Sequence, residues 1–145
     1  MILSYPARIF PDGTSYTLVM EDLPFGGHTC GVDEAEALSH APDALRTALS
    51  LVMERGLDIP TPSPEPTGTL PLVCLPSLVD EAKVELYRIL RASGLAKTEL
   101  ARRMGISKQQ AERLLDLDHT SRMEQLELAF RAIGKRLAWE VRDAA

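Results

Sequence analysis

The sequence predicts an α+β fold in two modules: a strand, strand, short strand, helix, strand unit over residues 1–76, then a helical unit over residues 77–145 that closes on one more strand. Three observations lead there. Apolar residues alternate in the opening segments and recur at steps of three and four beyond Val79, the change from strand to helix period. Charge divides in the same way: residues 1–69 carry three arginines against ten acids, a net of −7, whereas residues 83–113 hold eight bases and three acids, a net of +5. A proline-rich run at residues 60–66 lies between the two regions. The total of −5 over 145 residues therefore describes neither half.

Residues 2–10 read as the first strand, with Tyr5, Ala7 and Ile9 alternating against Ser4, Pro6 and Arg8. Pro6 cannot donate to a ladder, so this is an edge strand or one with a bulge. Pro11, Asp12, Gly13 and Thr14 supply turn chemistry, and residues 16–20 return as a second strand. Gly26 and Gly27 permit another reversal into a short strand at residues 28–31. The helix that follows opens with Asp33 and Glu36 in capping-box spacing. Its apolar stripe is Ala35, Leu38, Ala41, Leu45, Leu49 and Val52, and Gly56 stops it. Pro42 is expected to kink or break it. Beyond the stiff run at 60–66, residues 70–75 read as a strand returning to the first sheet, which moves the module boundary to residues 76–78.

In the second module a helix at residues 79–93 carries Val79, Ala82, Leu86, Ile89 and Leu90 on one stripe and ends at Ser93 and Gly94. Helices at residues 97–104 and from Ser107 to about Leu115 are separated by Gly105. Ser107 and Gln110 form a second capping box, and Ser121 with Glu124 a third ahead of a helix that ends at Gly134. Leu137, Trp139 and Val141 then alternate with Ala138, Glu140 and Arg142, a strand period whose edge could pair with its copy across a twofold axis.

Residues 95–115 carry the strongest motif. Ala101 is small where two helices must cross, Gly105 supplies the positive φ of a turn, and Ile106 plugs the angle; Leu100, Met104, Ala111 and Leu114 complete an inner face. Lys108, Gln109, Glu112 and Arg113 are left pointing outward. A helix of this kind fits the major groove, where Gln109 can pair with adenine and Lys108 or Arg113 with guanine. Lys97, Arg102 and Arg103 suit phosphate, with Ser107 and Gln110 supporting the helix start. Residues 79–134 resemble the Cro and phage-repressor class of helix-turn-helix domains. Dimerisation through Leu137, Trp139 and Val141 would set two such helices about one DNA turn apart.

The order of elements in residues 1–76, followed by this DNA-binding unit, resembles a HicB-type antitoxin. The resemblance runs through the Pro11-Asp12-Gly13 turn before Tyr16 and the stretch Glu21, Asp22, Leu23, Pro24. It continues in residues 29–35 leading into the helix, in Ser107 to Gln110, and in Leu114, Leu115, Asp116 and Leu117. It implies a partial ribonuclease H-like front domain that binds a HicA-type toxin, a small RNA-cleaving protein, and a complex that represses its own operon. Two features depart from the family pattern: Phe25-Gly26-Gly27-His28 stands where Gly-Cys is usual, and Pro42 interrupts a helix that is usually continuous. The toxin contacts are therefore not assigned by resemblance. An acidic domain suits a basic RNA-binding toxin, with Asp22, Asp33 and Glu34 as the acids to test.

Other classes fit less well. A nuclease of ribonuclease H type needs clustered carboxylates for two metal ions, whereas Asp12, Asp22 and Asp33 are scattered over a turn, a strand end and a cap. His28 and Cys30, with His40, Cys74 and His119 remote, form no zinc signature; His28 is expected in a loop and Cys30 in the core. No catalytic triad, phosphate loop or cofactor motif is present, so the chain is read as a non-enzyme without metal or cofactor. The longest uncharged stretch, residues 66–79, is shorter than the ~20 apolar residues of a membrane span and is broken by Pro66, Pro71 and Pro76. The amino terminus has no basic leader, so a cytoplasmic protein with two free thiols is expected. The rival reading is a transcription regulator whose front domain senses a small molecule.

Overall fold

The structure, a computed structural model, describes residues 3–65 and 67–143. Ile2, where the first strand was expected to begin, and Pro66 of the proline run lie outside the described residues. The chain is α+β, with small sheets first and helices after.

The first expected strand divides at Ala7 into β1 (Ser4–Pro6) and β2 (Arg8–Asp12). Pro6 removes a donor at the junction, and the backbone on either side of it bonds to different neighbours. β1 pairs antiparallel with β5 (Leu72–Cys74), Tyr5 opposite Val73, and the Ala7 amide extends the ladder by donating to the Pro71 carbonyl at 3.0 Å. β2 pairs with β3 (Ser15–Val19), which pairs with β4 (His28–Gly31), giving a three-stranded antiparallel sheet in the order β2-β3-β4. Tyr5, Ala7 and Leu18 are fully buried, so the expected alternation holds. His28 opens β4 instead of lying in a loop, and Cys30 is exposed, because β4 turns Thr29 and Gly31 toward the interior.

Helix α1 (Glu34–Glu54) covers the sheets. Asp33 caps it by accepting from the Glu36 amide at 2.8 Å, while Glu36 accepts from Val32 at 2.7 Å, one residue before the cap. The helix runs unbroken through Pro42. The carbonyl that Pro42 orphans belongs to Leu38, a residue 40% exposed, and buried Ala37, Ala41, Leu45, Leu49 and Val52 hold both halves on the sheet. The buried stripe begins at Ala37, not at Ala35 or Leu38, both of which are exposed. Gly31 explains the shift: a Cβ there would stand 2.4 Å from the Ala37 amide nitrogen, so the helix start lies directly on the end of β4.

The proline-rich segment is pinned to β1 and to the residues just after β3. Tyr5 donates to the Pro60 carbonyl at 2.6 Å, and Asp22 accepts from the Ser63 amide at 2.8 Å and its hydroxyl at 2.5 Å. Burial pushes the Tyr5 phenol up to about 12. The chain then forms β5 and four helices, α2 (Leu78–Ser93), α3 (Lys97–Met104), α4 (Lys108–Leu114) and α5 (Met123–Ala132). Ser77 caps α2, and Gly94 and Gly105 end α2 and α3 at φ of +70° and +68°. The expected Ser121 and Glu124 box does not form. Arg122 is the cap of α5, donating to the Gln125 side chain at 3.4 Å, because half-buried Met123 starts the helix.

One hydrophobic cluster runs from Leu3 to Phe130 through both halves of the chain. Tyr87 of α2 donates to the Leu57 carbonyl at 2.6 Å, and Arg91 pairs with Asp58. The expected carboxyl-terminal strand is absent: residues 135–143 have no regular structure, with Trp139 73% and Val141 84% exposed. Alternation alone supplies no ladder, and among the described residues no strand of the helical half stands beside this segment. Leu137 does pack against the helices. Among the described residues no helix is long and apolar enough to cross a membrane.

Candidate functional site

Helices α3 and α4 pack through buried Leu100, Ala101, Ala111 and Leu114, joined by the tight turn at Gly105. The Ile106 amide donates to the Ala101 carbonyl at 3.0 Å, which seats half-buried Ile106 between the helices. The α4 start is doubly capped: Gln110 accepts from the Ser107 amide at 2.9 Å, and the Ser107 hydroxyl accepts from the Gln110 amide at 3.1 Å. Ser107 and Gln110 therefore serve the helix start, as expected. Lys108, Gln109, Glu112 and Arg113 are all exposed on its outer face. Lys108 lies 3.8 Å from Glu112, and Arg113 has no acid partner among the described residues.

The expected phosphate-facing bases are exposed as well, but two of them are engaged. Glu99 accepts from Arg102 at 2.9 and 2.6 Å and from Arg103 at 3.0 Å. These guanidinium bonds, Arg102 first, hold the Glu99 carboxyl down to about 2. Lys97 has no acid partner among the described residues. Beside them, Arg103, Arg113 and Arg131 rim an open cleft of about 550 Å³ between α4 and α5, floored by Met104, Ile106, Leu114 and Leu128. Arg131 carried no motif in the sequence; only the packing of α5 on α3 brings it to this rim.

One base of the +5 count is not on the surface at all. Lys83 is fully buried, and its ammonium donates to the carbonyls of Arg113 (3.0 Å), Asp116 (2.7 Å) and His119. Burial lowers its pKa, opposed by Asp116 and Asp80. Its position was legible, since residue 83 falls four after Val79 and three before Leu86 on the α2 apolar stripe. Asp80, also buried, accepts from Ser77 at 3.0 Å and from Arg46 of α1 at 3.3 Å, and Arg46 reaches Asp118 at 3.4 Å.

Within residues 1–76 the three acids do not form one site. Asp22 holds Ser63, Asp33 caps α1, and Glu34 stands exposed beside it. Asp12 accepts from the Thr17 hydroxyl at 3.1 Å, an ordinary turn role. The uncovered face of the three-stranded sheet, missed in the sequence, carries Phe10, Thr17 and Cys30 in one row and Arg8, Val19 and His28 in the next. Arg8 lies over Phe10 and pairs with Glu21. Among the described residues no three His, Cys, Asp or Glu side chains stand together to hold a metal.

The model of the HicB-like antitoxins of bacterial toxin–antitoxin systems matches residues 4–85, more than half of the chain. The chain belongs to the HicB-like antitoxin family. Relatives extend the likeness over both halves. Antitoxin HicB of Pseudomonas fluorescens (strain Pf0-1) is 34% identical over 144 residues, 99% of this chain and 97% of that protein. Antitoxin HicB of Escherichia coli (strain K12) is 34% identical over 137 residues, 94% of this chain and 97% of that one. Antitoxin HicB 2 of Photorhabdus laumondii is 33% identical over 135 residues, 93% and 94% of the two chains. In this HicB-like antitoxin the family match covers all the strands, α1 and the first turns of α2, including Asp80 and Lys83.

Proposed function

We propose that this antitoxin binds and neutralises a small HicA-type RNA-cleaving toxin through its front module, residues 1–76, and represses its own operon through residues 77–145. The fold assignments that go with this reading are a partial ribonuclease H-like front domain and a Cro-class helix-turn-helix. The observation that carries the DNA half is the outer face of α4: Lys108, Gln109 and Arg113 exposed on a doubly capped helix, held at a fixed angle to α3 by Gly105. Such a helix enters the major groove, and each good bidentate base pair supplies about 1–3 kcal/mol of discrimination. Lys97, Arg102 and Arg103 then meet phosphate. Leu137, Trp139 and Val141 become an ordered strand when two copies pair, which buries the exposed Trp139 and places two α4 helices on successive half-sites. For the toxin half, family membership and the −7 charge of residues 1–69 both favour a cationic protein partner met in the cytoplasm.

Both halves are tested with the full chain. Coexpression should restore growth to cells arrested by the product of a short basic reading frame beside the gene; a frame whose expression does not arrest growth removes the toxin assignment. On a duplex from the region upstream of the gene, Gln109→Ala should lose sequence preference and Lys97→Ala should lose affinity evenly across sequences. Retention of full preference by Gln109→Ala would contradict the groove assignment.

A further inference from the structure

We infer that Lys83 is a positioning residue for DNA reading: its buried ammonium clamps the carboxyl end of α4 and so sets the angle at which Lys108, Gln109 and Arg113 meet the bases. This rests on the DNA-reading role proposed for α4. Lys83 lies on α2, remote in sequence from α4, and none of its side chain is exposed. Its three N–H donors meet three carbonyls, of Arg113 in the last turn of α4 and of Asp116 and His119 in the segment after it. The Arg113 carbonyl, which also accepts from the Asp116 amide at 3.3 Å, belongs to the last turn of α4, where no glycine turns the chain back on the helix end; the cap is Leu115 at φ −105°.

A buried ammonium is costly to desolvate unless every donor is used, and here every donor is. The arrangement is thereby specific in a way apolar packing is not, because a small rotation of α4 would break a charge-assisted bond to a buried ammonium. The amino end of α4 is fixed by the Gly105 turn and the Ser107–Gln110 box, so Lys83 supplies the second fixed point. Arg46 continues the brace to Asp80 and Asp118, tying the same segment to α1.

The test measures the full-length Lys83→Met variant on two duplexes, one from the region upstream of the gene and one of equal length with shuffled sequence, at several salt concentrations. The variant should bind the shuffled duplex within about twofold of wild type and with the same salt slope, while its preference for the upstream duplex falls roughly tenfold or more, the loss expected when one base contact is misplaced. A variant that keeps the wild-type preference overturns the inference. If Lys83→Met does not fold, 15N spectra of the wild-type lysine side chains decide. A slowly exchanging ammonium signal that shifts with the upstream duplex and not with the shuffled one supports the clamp; a rapidly exchanging signal, or equal shifts with both, refutes it. Wild-type protein that shows no preference for the upstream duplex sinks the DNA-reading proposal itself and this inference with it. Preference in wild type and in Lys83→Met alike sinks this inference alone.

Discussion

Glu99 holds two of the bases expected to meet phosphate, and removing its charge isolates their role. In the free protein it accepts three guanidinium N–H bonds, two from Arg102 and one from Arg103, at 2.6–3.0 Å. Glu99→Gln keeps the shape of the side chain and releases both arginines. If both then neutralise phosphates that they reach only partly in the wild type, the slope of log K against log salt should steepen by up to about 1.8, at about 0.9 per added contact on duplex DNA. Binding at low salt should tighten for upstream and shuffled duplexes alike, because phosphate contacts carry no sequence information. The assay is a salt titration by fluorescence anisotropy. An unchanged slope and affinity would refute the placement of Arg102 and Arg103 on the DNA backbone. The pH dependence has a fixed sign: the folded carboxyl titrates near 2, below its ordinary value, so its pairing is intact above about 4.5 and is lost only as pH falls toward 2. Lowering pH from 7 to 5 should therefore not reproduce the Glu99→Gln effect, and a side-chain carbonyl NMR titration will show the low midpoint directly.

Gly31→Ala would place a Cβ 2.4 Å from the Ala37 nitrogen and 2.8 Å from the Glu36 carbonyl carbon, both backbone, and should destabilise by about 3 kcal/mol in urea unfolding. Pro42→Ala restores a donor to the Leu38 carbonyl and should stabilise by about 2 kcal/mol, a helix gain of ~3 less ~1 for the freer unfolded chain; a loss of stability would mean that Pro42 packs productively. Trp139, 73% exposed in the single chain, should shift its emission to the blue as concentration rises if the carboxyl segment pairs between copies, and a maximum independent of concentration would contradict that pairing.

What could be read in the sequence was local. The limits of β4 and α3, the stops at Gly94, Gly105 and Gly134 and the Ser107 and Gln110 box all follow from residues within one turn of each other. The outer face of α4 followed from helix period alone. What could not be read depends on contacts distant in the chain. The phase of α1 is set by Gly31 against Ala37, and the proline run is held by Tyr5 and Asp22. The burial of Lys83 follows from its place on an apolar stripe, but its partners, the carbonyls of Arg113, Asp116 and His119, do not. The carboxyl segment forms no strand in the single chain for a related reason, since a period of two describes side chains and a strand also needs a neighbour for its backbone.

The separation of two roles on one chain is tested most directly by the Lys108→Glu, Arg113→Glu double variant, assayed for binding to the upstream duplex and for rescue of toxin-arrested cells. Duplex binding should be lost while rescue of growth is unchanged, because both residues lie on the outer face of α4 and outside residues 1–76. Binding equal to wild type would contradict it.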